Sequence, residues 1–343
     1  MKHFFNWKNS INENELNTTI NAIKENELIL MPTETVYGIA ANAYSDEACK
    51  KIFEAKGRES DNPLIIHVSD KEMLYKIVEK PNEIEEKLIN AFMPGPFTLI
   101  LKKKDVISNV ACKLPTVGIR MPSNKIANEI IRKSNIPLAA PSANISGKPS
   151  GTKIEDIINE LEDKIDVIID GGECDIGIES TVVKVIDGIP TILRPGFITE
   201  EDIKEVSGFV NLSDKLFSKV EKNEKVESPG MKYRHYAPKT KCVLVLKNEN
   251  QIEKINQILE KNKNACVLGF EEDRALINIK SNRFLNLGSK NNLEQISHNI
   301  FSLLRKIDEI EECELAIIEG VEKEGLGLSI MNRLIRACEY NIV

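Results

Sequence analysis

Two cations flank a glycine in Lys56-Gly57-Arg58. The same chain carries a small polar turn, Pro141-Ser142-Ala143-Asn144, and a basic, aromatic segment running from Ser228 to Pro238 that contains Tyr233, His235 and Tyr236. Arginine binds phosphate oxygens bidentately and lysine supplies a compact charge. A glycine between them lets the backbone approach a ligand closely. This chemistry suits the holding of a polyanion, with the proline-bounded segment as a cover. A solvated turn at a helix end is the plainer role for Lys56-Gly57-Arg58, because cations at helix C-termini are favourable for their own sake. Gly57, and Asn62-Pro63 just beyond with an added amide donor, shift the balance toward a ligand. No Walker loop, nucleophile–base pair or metal-ligand spacing competes with that reading.

Other polar residues fall where apolar runs end. Pro32-Thr33-Glu34-Thr35-Val36-Tyr37-Gly38 follows the strand-like run Glu27 to Met31, a usual place for ligand groups in α/β folds. His67 lies in Leu64-Ile65-Ile66-His67-Val68; for a lone histidine a core position satisfied by backbone is the better reading unless that strand borders the pocket. Arg120 closes Thr116-Val117-Gly118-Ile119-Arg120 and suits a ligand carboxylate, with a surface salt bridge as the alternative. Leu138-Ala139-Ala140 leads into Ser142 and Asn144, and Ser150-Gly151-Thr152 continues the polar wall. No G-x-S-x-G elbow surrounds Ser142, so it reads as a hydrogen-bonding group. Glu179-Ser180-Thr181 and Arg194-Pro195-Gly196 complete the set. Each has a turn-chemistry explanation; several at once, all at strand ends, point to one pocket.

The elements that must position these groups alternate irregularly. Helices are expected over 11–25, 48–55, 125–133 and 154–161. Strands are expected near 27–31, 64–68, 97–101, 117–120, 138–140, 167–170, 181–185 and 191–193, giving a mixed twisted sheet over residues 1–207. Residues 208–239 read as a linker or lid, with Gly208, Pro229, Gly230 and Pro238 among many charges. Residues 240–343 read as a smaller, mostly parallel α/β domain, in which Leu293, Ile296, Ile300, Leu303, Ile307 and Ile310 line one face of a long helix. The 343 residues suit about two domains. At 41% hydrophobic and 29% charged the chain fits an ordinary globular protein, and a formal net charge of −7 argues against a generic nucleic-acid binder. No apolar run approaches bilayer length and the N-terminus turns polar too soon for a signal peptide, so no membrane is expected. Seven cysteines, scattered and without CxxC, suit a reducing cytoplasm and neither a zinc site nor a disulfide framework.

The ordered set of Pro32–Gly38, Lys56-Gly57-Arg58, Asn62-Pro63-Leu64, Pro94-Gly95-Pro96, Pro141–Asn144, Glu179-Ser180-Thr181 and Leu193-Arg194-Pro195-Gly196 resembles the YrdC-like family. Ser228–Pro238 and the tail Gly325-Leu326-Gly327 through Asn332-Arg333 resemble its long, two-domain form. The resemblance implies a YrdC-like α/β domain followed by a Rossmann-like one, and the activity of a threonylcarbamoyl-AMP synthase. Such an enzyme joins L-threonine, bicarbonate (or CO2) and ATP into threonylcarbamoyl-adenylate and pyrophosphate. Partner tRNA-threonylcarbamoyl transferase proteins then modify the adenosine beside the anticodon of tRNAs reading ANN codons, with at most a weak tRNA contact by this chain. By the same resemblance Thr35, His67, Arg120, Ala140 and Ser180 would hold threonine. Arg58, Asn62, Thr116, Ser142, Ser150, Arg194 and Tyr236 would hold ATP. Lys56, Arg58 and Asn144 would position reactants and stabilise charge with Mg2+ accompanying ATP, no metal being bound by the protein itself. Tyr233 and His235 would belong to the lid.

Two departures stand out: Glu59 where the family usually has proline, and Lys184 where an aspartate commonly follows Glu-Ser-Thr-Val-Val. Two rivals remain at this stage, a non-catalytic RNA-binding module and a carbamoyl-transfer or carbamoyl-phosphate enzyme. The linker and second domain argue against the latter.

Overall fold

The computed structural model describes residues 3–218 and 235–343. They form two compact units. Of the described residues, the first comprises 3–146, 150–175 and 179–218; the second comprises 147–149, 176–178 and 235–343.

The first unit is built on a mixed sheet. Its strands in chain order are β1 (His3–Asn6), β2 (Ile29–Met31), β3 (Gly38–Asn42), β4 (Ile66–His67), β5 (Phe97–Lys102), β6 (Thr116–Arg120), β7 (Leu138–Ala139), β8 (Val167–Asp170), β9 (Thr181–Ile186), β10 (Ile189–Arg194) and β11 (Asn211–Leu212). Their spatial order is β1-β8-β2-β3-β7-β4-β6-β5-β9-β10-β11. Parallel pairs (β4 with β6, β5 with β9) alternate with antiparallel ones (β5 with β6, β4 with β7), as the irregular helix–strand alternation predicts. β3 has no counterpart among the expected strands. Gly38-Ile39-Ala40-Ala41-Asn42 is poor in residues of high β propensity, yet it is placed by its neighbours, pairing antiparallel with both β2 and β7. The helices Lys71–Ile77, Glu83–Phe92 and Glu200–Ser207 are likewise additional. Each starts from a side-chain cap, and the caps of the last two are full capping boxes, Asn82 with Glu85 and Thr199 with Asp202. The apolar core is continuous from Trp7 and Leu16 through Ile39, Ile66, Leu99 and Ile119 to Ile203.

The helix Asp46–Lys56 delivers the first of the predicted cations. Ser45 caps its start by accepting from the Ala48 amide at 3.2 Å, and Gly57 ends it in the left-handed conformation at φ 58°. A Cβ at Gly57 would meet nothing within 4 Å. Its backbone angles serve the helix stop.

The second unit holds four strands, β12 (Lys241–Val245), β13 (Ala265–Gly269), β14 (Phe284–Asn286) and β15 (Leu315–Glu319), all parallel in the order β12-β15-β13-β14. The long helix runs from Leu293 to Lys306 and its apolar stripe continues into a single tight turn, Ile307–Glu309.

Replacing Gly57 by alanine places a side chain at a positive φ. We expect a loss of about 1 kcal/mol in denaturant unfolding of the full chain; an unchanged midpoint would contradict the C-cap role.

Candidate active site

Strand register builds the centre of the site. His67 at the end of β4 is the Cα partner of Arg120 at the end of β6, and Arg120 is the partner of Thr98 on β5. Residues paired directly across neighbouring strands project from the same face. His67, Arg120 and Thr98 thus form one row. The Thr98 and Ser180 hydroxyls lie 2.8 Å apart. Arg194, ending β10, donates through Nη2 to the Ser180 carbonyl at 3.0 Å and to Ser180 Oγ at 3.2 Å. The row therefore runs from an imidazole through two hydroxyls to a second guanidinium. Gly196 makes this approach feasible, since a Cβ there would lie 2.3 Å from the Thr181 amide nitrogen and 2.7 Å from the Glu179 carbonyl oxygen.

Two loops border the row. After β2, Thr33 Oγ1 lies 2.9 Å from Thr35 Oγ1 and donates to the Val36 carbonyl at 2.6 Å, fixing the turn that carries Glu34. Glu34 places Oε1 2.8 Å from Arg120 Nη2, and both side chains are about 95% buried, at 6% and 5% exposure. The N–H does not point at the carboxylate, so the contact is ionic without a hydrogen bond. After β7, Gly38 bridges Ser142 and the Ala143 amide donates to the Tyr37 carbonyl at 2.7 Å, tying the Ser142–Asn144 loop to the first. Ser142 Oγ donates to Asn144 Oδ1 at 2.7 Å. Ser150 Oγ donates to Glu179 Oε1 at 2.7 Å and so joins the residue preceding Ser180.

His67 is buried beside a fixed positive charge. Desolvation first, and then the Arg120 charge, push its pKa down to about 3, so the ring is neutral at physiological pH. Its Nδ1 has no hydrogen-bond partner among the described residues, and neither does Asn62 Oδ1. A neutral imidazole both donates and accepts, which suits a ligand hydroxyl better than a ligand charge.

The predicted residues are brought together unequally. Thr35, His67, Arg120, Ser180 and Arg194 converge, and Ala140 is anchored beside them by its amide to the Ile65 carbonyl at 3.0 Å. Lys56 departs from the open phosphate-facing charge that the sequence suggests. Its ammonium is buried and donates to the Ser142 carbonyl, to the Asn144 carbonyl at 2.8 Å and to Asn144 Oδ1 at 3.4 Å, so it braces that loop. Arg58 is half-buried and donates to the carbonyls of Asn62 and Pro63 at 3.2 and 3.1 Å, ordering its own turn. Thr116 starts β6, about 13 Å along the strand from Arg120. Tyr236 lies in the second unit, its ring 5.1 Å from Phe301 and 5.6 Å from His235, with the Arg333 guanidinium 6.0 Å from its centroid. Tyr233 and the rest of 228–234 lie outside the described residues. Glu34 and Thr98 are site residues that the sequence reading did not assign. Glu34 stood inside a quoted motif, whereas Thr98 is visible only through its register with Arg120. Among the described residues no group of three or more His, Cys, Asp and Glu is placed to hold a metal ion, and no helix is long and apolar enough to cross a membrane.

Comparison with known proteins matches both units. The family described as Telomere recombination (Sua5, YciO, YrdC) covers residues 21–196, and Threonylcarbamoyl-AMP synthase, C-terminal domain, covers 198–338. The chain is 40% identical to the threonylcarbamoyl-AMP synthase of Pyrococcus abyssi over 100% of its own length and 99% of the relative's. The chain belongs to the threonylcarbamoyl-AMP synthase family. The Bacillus subtilis member is 41% identical over 97% of this chain and 96% of its own. The crystal structure of P. abyssi Sua5 complexed with L-threonine superposes with a TM-score of 0.92 at 39% identity, covering 99% of this chain and 98% of that one. The family's α/β fold, expected from the sequence, is the fold observed.

The His67 shift has a sign. Its folded pKa lies below the ordinary 6.5, so the unfolded chain binds a proton that the folded one refuses. Its contribution to stability is therefore complete above pH 6.5 and is lost as pH falls toward about 3. We expect thermal melts of His67→Asn to lose less stability than wild type between pH 6.5 and 4.5. Equal acid sensitivity in the two proteins would contradict a neutral, buried His67.

Proposed function

We propose that the chain makes threonylcarbamoyl-AMP and pyrophosphate from L-threonine, bicarbonate (or CO2) and ATP, for threonylcarbamoylation of the adenosine next to the anticodon in tRNAs reading ANN codons. The observation that carries the reading is the row His67–Arg120–Thr98–Ser180–Arg194. It sets a buried guanidinium for a carboxylate and a neutral imidazole for a hydroxyl within one strand-end array, next to a second guanidinium. The likeness to a relative complexed with L-threonine supports it.

In this reading the threonine carboxylate pairs with Arg120, its hydroxyl meets Thr35, His67 and Ser180, and Ala140 meets the methyl. ATP takes Arg58, Asn62, Thr116, Ser142, Ser150 and Arg194. The threonine nitrogen attacks the bicarbonate carbon, and water leaves. A carbamate oxygen then attacks the α-phosphorus and expels pyrophosphate. No covalent enzyme intermediate is required, and the protein's work is alignment and charge stabilisation. Lys56 acts by holding Ser142 and Asn144 in place. These two residues carry hard oxygen atoms of the kind Mg2+ takes, but the Lys56 ammonium at the end of its helix already holds both carbonyls and Asn144 Oδ1, so the triphosphate would supply most of the ion's ligands. Mg2+ would neutralise phosphate charge. The labile product passes to transferase proteins, and a reducing cytoplasm suits the seven free thiols.

The test is pyrophosphate release by the full chain. We expect release to require both threonine and bicarbonate; ATP turnover that ignores either would overturn the reading. With serine in place of threonine, the missing methyl is worth about 1–3 kcal/mol, so kcat/KM should fall about 10- to 200-fold. No preference between the two would remove the methyl contact from the account.

A further inference from the structure

The Glu34 carboxylate is left over by the chemistry assigned so far. It is buried and held to Arg120 at 2.8 Å, yet among the described residues neither oxygen accepts a hydrogen bond, and Arg120 Nε and Nη2 donate none. Buried polar atoms are nearly always satisfied, and a carboxylate offers about four acceptor positions. Two residues of opposite charge therefore stand side by side with their hydrogen-bonding capacity open. Glu34 is also among the residues lining a cavity of about 440 Å³, with Trp7, Ile11, Ser123 and Gly171. A volume of that size lies within the range of small-molecule sites.

The complement of an open carboxylate beside an open guanidinium is a molecule carrying an ammonium beside a carboxylate, which is an α-amino acid zwitterion. We propose that Glu34 is the receptor for the α-ammonium of the amino acid substrate and the acceptor of the proton which that nitrogen must shed. The proposal rests on the reading of the site as one for an amino acid. Arg120 takes the substrate carboxylate, and the ammonium donates to Glu34. The ammonium gives one proton to Glu34, its freed electron pair forms the N–C bond to bicarbonate, and the carbon–oxygen bond breaks to release water. Ammonium, bicarbonate and carboxylate become carbamate, water and carboxylic acid, with a total charge of −1 before and after. The Thr33–Thr35 turn holds Glu34 for this purpose, and neutral His67 adds no competing charge.

A role limited to steadying Arg120 predicts something different, and the experiment separates the two. The full chain and its Glu34→Gln variant are compared for binding of L-threonine and of (R)-3-hydroxybutyrate, the same molecule without its amine, and for the pH dependence of pyrophosphate release. We expect Glu34→Gln to weaken threonine about tenfold or more, as the loss of a charged hydrogen-bond partner does. Binding of the amine-free analogue should stay within about twofold. We expect kcat/KM to fall on the order of 100-fold near neutrality, and the deficit to shrink as rising pH supplies neutral amine from solution. Glu34→Asp keeps the charge and serves where the glutamine variant melts early; it should retain most of the threonine preference. Equal weakening of both ligands, unchanged threonine affinity, or a pH-independent deficit would each overturn the proposal. Wild type that releases pyrophosphate while these variants behave so leaves the enzymatic reading standing, whereas wild type that binds no threonine removes both.

Discussion

A guanidinium buried at the end of a strand has to be surrounded by partners, and Arg120, at 5% exposure, imposes that requirement on the first unit. Register decides which residues flank it. β4 brings His67 to one flank and β5 brings Thr98 to the other, because each is the Cα partner of Arg120 in its own pairing. A one-residue slip in either strand would send the side chain to the opposite face. Ser180 and Arg194 then follow from Thr98, and Glu34 comes over the charge from the loop after β2. The surrounding positions thus depend on one buried cation and on the pairing that carries it.

The other cations act differently. Lys56 and Arg58 donate to backbone carbonyls, Lys56 on the Ser142–Asn144 loop, where it also reaches Asn144 Oδ1, and Arg58 on the Asn62–Pro63 turn. A buried ammonium held by carbonyls fixes loop geometry, and loop geometry decides where Ser142 and Asn144 present their oxygens. Charge in this site therefore works on two levels, as the proposed complement to a ligand at Arg120 and as internal scaffolding at Lys56.

Most of this was legible in the chain as text. The ends of apolar runs marked Thr35, His67, Arg120, Ser180 and Arg194, because strands end where polar residues begin, and ligand groups gather there. The mixed sheet followed from the irregular alternation of elements, and the parallel second sheet from its regular one. Other features were hidden for physical reasons. β3 is made of small residues with little strand preference and exists only through its neighbours. Thr98 looks like any strand threonine until the register is known. Lys56 reads as an exposed cation because sequence does not reveal that the Ser142 and Asn144 carbonyls fold back onto the end of its helix. Glu34 lay within a recognised motif, but its pairing depends on a loop meeting a strand end 86 positions away.

The central claim is that Arg120 and its row form the seat of an amino acid. A crystal structure of the full chain soaked with L-threonine tests it most directly. The account predicts the ligand carboxylate within hydrogen-bond distance of the Arg120 guanidinium and the ligand hydroxyl facing His67 or Ser180. Threonine seated elsewhere, with Arg120 still committed to Glu34 alone, would contradict it.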